Sequence, residues 1–97
     1  MTRDGALTIL RQHLSELRQR YGVKSLALFG SVARNEASTA SDVDLLVDFE
    51  TPPGFDGYMA LKFRLEDVLG CRVDLVMRRA LIPQAEPVVA RDAIRVA

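Results

Sequence analysis

The sequence predicts an α/β or α+β domain in which helices flank a small mixed sheet of three to four strands. Two observations indicate this class. Apolar residues recur at helical spacing in residues 5–21 and 56–69, and short apolar runs that end near glycine or proline alternate with these segments. The 97 residues are 48% hydrophobic, which is enough for one modest core. We therefore expect a single domain that spans residues 1–97.

Seven elements are predicted, each from a local pattern. In chain order they are a helix, a strand, a helical turn, a strand, a helix, a strand and a helix, at residues 5–21, 25–29, 31–35, 43–49, 56–69, 71–77 and 83–91. Asp4 is expected to cap the first helix, and Gly22 and Gly70 are expected to end the two long helices. Pro87 should kink or shorten the last helix, and residues 93–97 form either a short strand or a frayed end.

Composition and charge exclude several classes of partner. The 13 basic and 13 acidic residues cancel, so neither a nucleic-acid-wrapping surface nor a polybasic membrane-binding surface is indicated. Cys71 is the only cysteine, and the sequence contains neither an 18-residue apolar stretch nor a secretory leader. We expect a cytoplasmic protein that binds neither nucleic acid directly nor membranes.

Two aspartates stand at the start of the second predicted strand. Strands are depleted in Asp, and like charges on one strand face repel each other. Asp42 and Asp44 share a face about 7 Å apart, while Val43 and Leu45 point to the core. Because Mg²⁺ prefers oxygen ligands and takes one or two carboxylates together with substrate phosphates, a bound metal would offset the repulsion. The alternative is a solvated strand start in which Ser41 and Asp42 serve a turn.

A Gly-Ser pair at the end of the first predicted strand supplies a phosphate site. Gly30 lets the backbone approach a phosphate closely, and the Ser31 hydroxyl and the following N–H groups can donate to its oxygens. Arg34 would add a positive charge, unless it is a surface cation paired with Glu36. For Gly30 and Asp44 to share one site, the first two strands must lie side by side and run antiparallel.

The third predicted strand carries an aspartate among apolar residues. Asp74 is costly to bury unpaired, so it should face a cation or a metal site, with an exposed position on an edge strand as the alternative. If this strand lies beside the second one, Asp74 joins Asp42 and Asp44 in a three-carboxylate cluster. Two metal ions held there would activate an attacking hydroxyl group and stabilise a leaving pyrophosphate, which indicates phosphoryl or nucleotidyl transfer. Asp48 lies about 13 Å from Asp44 along the strand, too far to share a metal.

At these positions the sequence resembles the nucleotidyltransferase superfamily that includes DNA polymerase beta. The similarity is closest to the minimal nucleotidyltransferases of prokaryotes, whose pattern is Gly-Ser, then x-x-Arg-Gly-Glu, then Ser-Asp-x-Asp-Leu-x-Val. The stretch GSVARNEASTASDVDLLVDF follows this pattern, and RVDLV supplies the third carboxylate. Asn35 stands where the family usually has glycine, but asparagine tolerates a left-handed backbone better than most residues.

The resemblance implies a nucleotidyltransferase fold and a role for each site residue. Asp42, Asp44 and Asp74 would bind two Mg²⁺ ions, and Asp74 would assist deprotonation of the acceptor. ATP would be the nucleotide substrate. The residues implied to bind it are Gly30, Ser31, Arg34 and Ser41.

Small proteins of this kind look like antitoxins that are encoded beside a HEPN-domain ribonuclease toxin. The resemblance implies transfer of AMP from ATP to a tyrosine hydroxyl group of that toxin, which neutralises it. One alternative is a binding module that masks the toxin without catalysis. A weaker alternative is a stand-alone transferase for a small molecule such as an aminoglycoside, although such enzymes usually carry an additional helical domain.

Overall fold

A computed structural model describes residues 1–36, 42–80 and 86–96. Within these ranges the helices are α1 (Arg3–Gln12), α2 (Leu14–Tyr21), α3 (Gly30–Ala33), α4 (Phe55–Leu69) and α5 (Glu86–Asp92). The strands are β1 (Val23–Phe29), β2 (Val43–Phe49), β3 (Val73–Met77) and β4 (Ile94–Arg95). The predicted alternation of helices and strands is confirmed.

The four strands form one mixed sheet in the order β3-β2-β1-β4. β1 runs antiparallel to β2 and to β4, whereas β2 and β3 run parallel. Parallel neighbours need a long crossover, which α4 provides here. The antiparallel pairing of the first two strands and the position of the third strand beside the second are both confirmed.

One face of the sheet is buried beneath α1, α2 and α4. Alternate strand residues point into this core and meet the apolar stripes of the helices, as period-2 and period-3.6 patterns require. The largest fully buried side chains are Leu10, Leu17, Leu26, Leu28, Leu45, Leu61, Leu65, Val23, Val32, Val43 and Val47. The opposite face is formed by Ser25, Ala27, Asp44, Leu46 and Asp48, and α5 lies against part of it. We call it the site face.

The N-terminal helical segment differs from the prediction in two ways. It is two helices rather than one, because the backbone leaves helical geometry at His13 (φ −102°, ψ 3°), whose ring Nδ1 donates to the Ile9 carbonyl oxygen at 2.9 Å. The predicted cap at Asp4 is wrong. Thr2 caps α1, since its hydroxyl accepts a hydrogen bond from the Gly5 N–H at 3.0 Å, and Asp4 lies in the first turn.

Several helix and strand boundaries lie where the glycine and proline residues predicted them. Gly22 and Gly70 both end helices in left-handed conformations, with φ of 70°. The short-strand alternative for the C-terminal segment is confirmed by β4, and Pro87 lies in the first turn of α5, where proline is tolerated. The predicted start of that helix at Pro83 lies outside the described residues. A 3₁₀-helix at Arg78–Ala80 was not predicted. Within the described parts of the chain, no helix has the length and apolarity needed to cross a membrane.

Candidate active site

Asp44 lies at the centre of the site, on a strand with neighbours on both sides. In the sheet register it stands opposite Phe29 of β1 and opposite Asp74 of β3. Its neighbours Val43 and Leu45 have no exposed surface, so the alternation of β2 turns the Asp44 carboxylate to the site face, where it is half-buried. The predicted meeting of the second and third strands therefore places two carboxylates side by side.

The electrostatics of this cluster are unfavourable without a cation. Burial raises the pKa of the Asp44 carboxyl group above its ordinary value, and the negative charges of Asp74 and Asp42 raise it further. A hydrogen bond with Asp74 acts in the same direction, while the charge of Arg34 acts against it. Carboxylates that approach each other this closely disfavour joint ionisation unless a positive charge intervenes. The arrangement is one that a divalent cation would stabilise.

Gly30 is the reason that β1 can end against this cluster. Its φ is 73°, a left-handed conformation that side chains rarely adopt. A Cβ atom at this position would overlap the Asp44 carboxylate, with the Asp44 Cγ only 2.9 Å away. Ser31 follows in the first turn of α3, and its hydroxyl makes no hydrogen bond within the described part of the chain. The structure thus brings Gly30 against Asp44, as the spacing predicted, and Ser31 is the next residue of the chain.

Arg34 occupies the C-terminal end of α3 and is engaged by two carboxylates. Its Nε donates to Glu36 Oε2 at 3.1 Å, which is the surface pairing that the sequence left as an alternative. Its Nη1 donates to Asp92 Oδ2 at 2.7 Å, across 58 residues of sequence. The hydrogen bonds to Glu36 and Asp92 raise the pKa of the guanidinium. Asn35 beside it has φ of 61°, the left-handed conformation that asparagine was expected to tolerate.

Asp42 forms an ion pair that was not predicted. It is exposed, and its Oδ1 lies 3.4 Å from Arg72 Nε in an ion pair. Among the described residues, no three His, Cys, Asp or Glu side chains are arranged so as to hold a metal ion. The donor set nevertheless fits Mg²⁺ in its chemistry, because it consists of carboxylate oxygens close to Asp44. Ser41, which precedes Asp42, lies outside the described residues.

Two residues of α4 form hydrogen bonds to the backbone on either side of Asp74 and were not predicted as part of the site. The Tyr58 hydroxyl group donates to the Leu75 carbonyl oxygen, and burial and the charge of Asp74 raise the pKa of this phenol. The Val73 N–H donates to Glu66 Oε2 at 3.0 Å. Helical spacing had placed Tyr58 in the apolar stripe of its helix, and that pattern does not predict the hydrogen bond that its hydroxyl group makes. Asp74 itself is exposed on the edge strand.

Comparisons with known proteins identify chains of similar sequence and fold. The nucleotidyltransferase domain family matches residues 10–96. Protein adenylyltransferase MntA of Thermococcus cleftensis is 43% identical over 96 residues, which covers 99% of this chain and 97% of the relative. A solved minimal nucleotidyltransferase is 41% identical, with a TM-score of 0.81 over 97% of this chain and 95% of that one.

More distant solved structures share the fold. One holds a tri-AMPylated Shewanella oneidensis HEPN toxin in complex with an MNT antitoxin; the matching chain is 18% identical, with a TM-score of 0.68 over 94% of this chain and 71% of that one. At that identity the likeness concerns architecture alone. The match over residues 10–96 and the relative at 43% identity, together with the site built from Gly30, Asp44 and Asp74, lead to one conclusion: this chain belongs to the nucleotidyltransferase domain family.

Proposed function

We propose that this protein is an antitoxin that transfers AMP from ATP to a tyrosine hydroxyl group of a HEPN-domain toxin and thereby neutralises it. The observation that carries the proposal is the placement of Asp44 opposite Asp74, with Gly30 against the Asp44 carboxylate. The name of the 43% identical relative, a protein adenylyltransferase, supports the reaction. The proposal assigns residues 1–97 to one minimal nucleotidyltransferase domain.

Each residue of the site has a chemical role in this proposal. Two Mg²⁺ ions would be held by Asp42, Asp44 and Asp74, after Asp42 leaves its ion pair with Arg72. The ions would neutralise the charge of a triphosphate and of its pyrophosphate leaving group. The backbone at Gly30 and the Ser31 hydroxyl donate to phosphate oxygens.

Asp74 accepts the proton of the acceptor hydroxyl, whose oxygen forms a bond to the α-phosphorus as the bond to pyrophosphate breaks. Arg34 contributes positive charge near Asp44 while it remains held by Asp92 and Glu36. Ser41 is proposed as a further nucleotide contact.

The test is a transfer assay with the purified protein, its cognate HEPN-domain toxin, Mg²⁺ and ATP labelled in the α-phosphate. We expect label on the toxin, loss of label with EDTA, and loss of label with Asp44→Asn, which keeps the volume of the side chain but removes its charge. Exposed Asp56, at the start of α4, provides the matched control, so Asp56→Asn should transfer label as the wild type does. Equal labelling by Asp44→Asn would refute the proposed role of the cluster.

A second candidate function, masking of the toxin without catalysis, is favoured by a different observation. Phe55 and Phe63 on α4 are 77% and 59% exposed, and such apolar side chains suit a protein interface. Expression of the toxin in cells with Asp44→Asn distinguishes the two functions. Survival would support masking, whereas toxicity despite an intact complex, measured by co-purification, would support catalysis.

A further inference from the structure

A groove on the site face lies beside the carboxylates and has no role in the function proposed above. Its volume is about 520 Å³. Ala27 of β1 and Leu46 of β2 form its floor, and Val89 and Ala93 at the α5 end form one wall. The groove therefore combines a small, apolar strand surface with a helix that stands above it.

The charged residues around this groove are mainly basic. Among the residues that the structure describes, Lys24, Arg78 and Arg95 line it together with one carboxylate, Asp48. The side chains of Lys24 and Arg78 make no hydrogen bond or ion pair with any residue that the structure describes. We call this feature, with Ala27 and Leu46 as its floor, the basic groove. Its excess of positive charge suits an anionic ligand.

The basic groove is continuous with the candidate active site. Residues two apart on a strand share a face and lie about 7 Å apart, so Asp44, Leu46 and Asp48 follow one another along the site face. On β1 the partners of Leu46 and Asp48 are Ala27 and Ser25. The floor of the groove thus begins about 7 Å from the Asp44 carboxylate and extends to about 13 Å.

The chemistry of the groove fits a polypeptide better than a nucleotide base. Proteins commonly hold bases by stacking on aromatic rings or by hydrogen bonds from polar side chains such as amides. None of the described residues that line the groove is aromatic, Asn or Gln. The phosphates, moreover, are assigned to Gly30 and Ser31. An extended peptide, by contrast, lies flat on small strand residues and directs alternate side chains to the rim.

We propose that the basic groove binds the acceptor protein, and that it recognises an acidic side chain about two to four residues from the acceptor hydroxyl group, the span of 7 to 13 Å for an extended chain. Lys24 and Arg78 are the cations that contact this acidic residue. This inference rests on the proposed function for its reaction, but its charge preference can be measured without catalysis.

Kinetics with the HEPN-domain toxin test the first part. In the double variant Lys24→Glu/Arg78→Glu we expect the Michaelis constant for the toxin to rise about tenfold, the scale of two reversed ion pairs, with kcat and the Michaelis constant for ATP unchanged. Exposed Arg18 on α2, on the helical side of the sheet, is the control, and Arg18→Glu should behave as the wild type. An unchanged constant for the toxin, or a raised constant for ATP, would overturn the assignment.

Binding of short peptides tests the charge preference itself. Three fluorescein-labelled peptides carry one tyrosine and differ only in the residues two and four positions away, which are Glu, Gln or Lys. We expect the Glu peptide to bind most tightly in fluorescence anisotropy, with an advantage that falls with salt and disappears in the double variant.

The binding arm separates the two proposals. If the wild type prefers the Glu peptide but transfers no AMP to the toxin, the proposed function is refuted and the proposed role of the basic groove is supported. Equal binding of all three peptides would refute the proposed role of the basic groove even if AMP transfer occurs.

Discussion

Replacement of Gly30 by alanine separates backbone strain from overlap with the Asp44 carboxylate. Gly22 and Gly30 have nearly the same positive φ, 70° and 73°, but an added Cβ meets nothing within 4 Å at Gly22 and overlaps the Asp44 carboxylate at Gly30. Gly22→Ala should therefore cost only the left-handed strain, about 1–2 kcal/mol. Gly30→Ala should cost this plus about 1–3 kcal/mol for overpacking, because the Asp44 Cγ and Cβ would lie at 2.9 and 3.2 Å.

The assay is urea unfolding of the wild type and four variants: Gly22→Ala, Gly30→Ala, Asp44→Ala and the double variant of Gly30 and Asp44. Removal of the carboxylate leaves only the Asp44 Cβ near the new methyl group, so Gly30→Ala should cost about 1–2 kcal/mol less in the Asp44→Ala background. AMP transfer should be lost in Gly30→Ala and kept in Gly22→Ala. Equal costs of the Gly30 change in both backgrounds would refute the steric explanation.

Three further predictions concern residues around the site. Because Asp92 holds Arg34 at the end of α3, Asp92→Asn should raise the Michaelis constant for ATP by up to about fivefold and leave the fold intact by circular dichroism. Tyr58→Phe should lower the free energy of unfolding by about 0.5–1.5 kcal/mol, measured in urea, since the Leu75 carbonyl loses its donor; an unchanged value would mean that water replaces it. The pKa of Asp44 is raised in the folded state, so its contribution to stability is fully present below its ordinary pKa of 3.8 and is lost as pH rises through the folded value. Without divalent cations, Asp44→Asn should therefore be more stable than the wild type at neutral pH, as measured by thermal unfolding, whereas equal stability would contradict the charge repulsion inferred here.

Most of the candidate site could be predicted because the positions of its residues depend on local periodicity. The alternation of β2 is enough to place Asp44 opposite the core, and the Gly-Ser and Asp-x-Asp segments can share a site only if β1 and β2 are antiparallel neighbours. Asp74 followed from the cost of a carboxylate in an apolar strand. Each of these inferences uses residues whose geometry is set by the strand that contains them.

The remaining contacts depend on tertiary packing that no short pattern encodes. Arg34 and Asp92 are 58 residues apart, and their contact requires α5 to lie beside α3. Tyr58 follows the helical stripe, so its apolar ring explains its position while its hydroxyl group bonds to a strand. The break at His13 has a similar origin, because a ring that bonds to the carbonyl of Ile9 competes with the regular helical pattern.

The position of Asp44 opposite Asp74 is difficult to explain by folding alone. Parallel neighbours in register bring their side chains together, and two carboxylates there repel each other where an apolar or oppositely charged pair would stabilise the sheet. Gly30, which loses more conformational freedom on folding than any other residue type, adds a second local cost at the same point. Two local rules of stability therefore fail at the same point of the sheet, and such failures are expected where a site binds a ligand that supplies the missing stabilisation. A cation between the carboxylates and a phosphate against Gly30 would satisfy both costs at once, which is the combination that a metal-bound nucleotide provides.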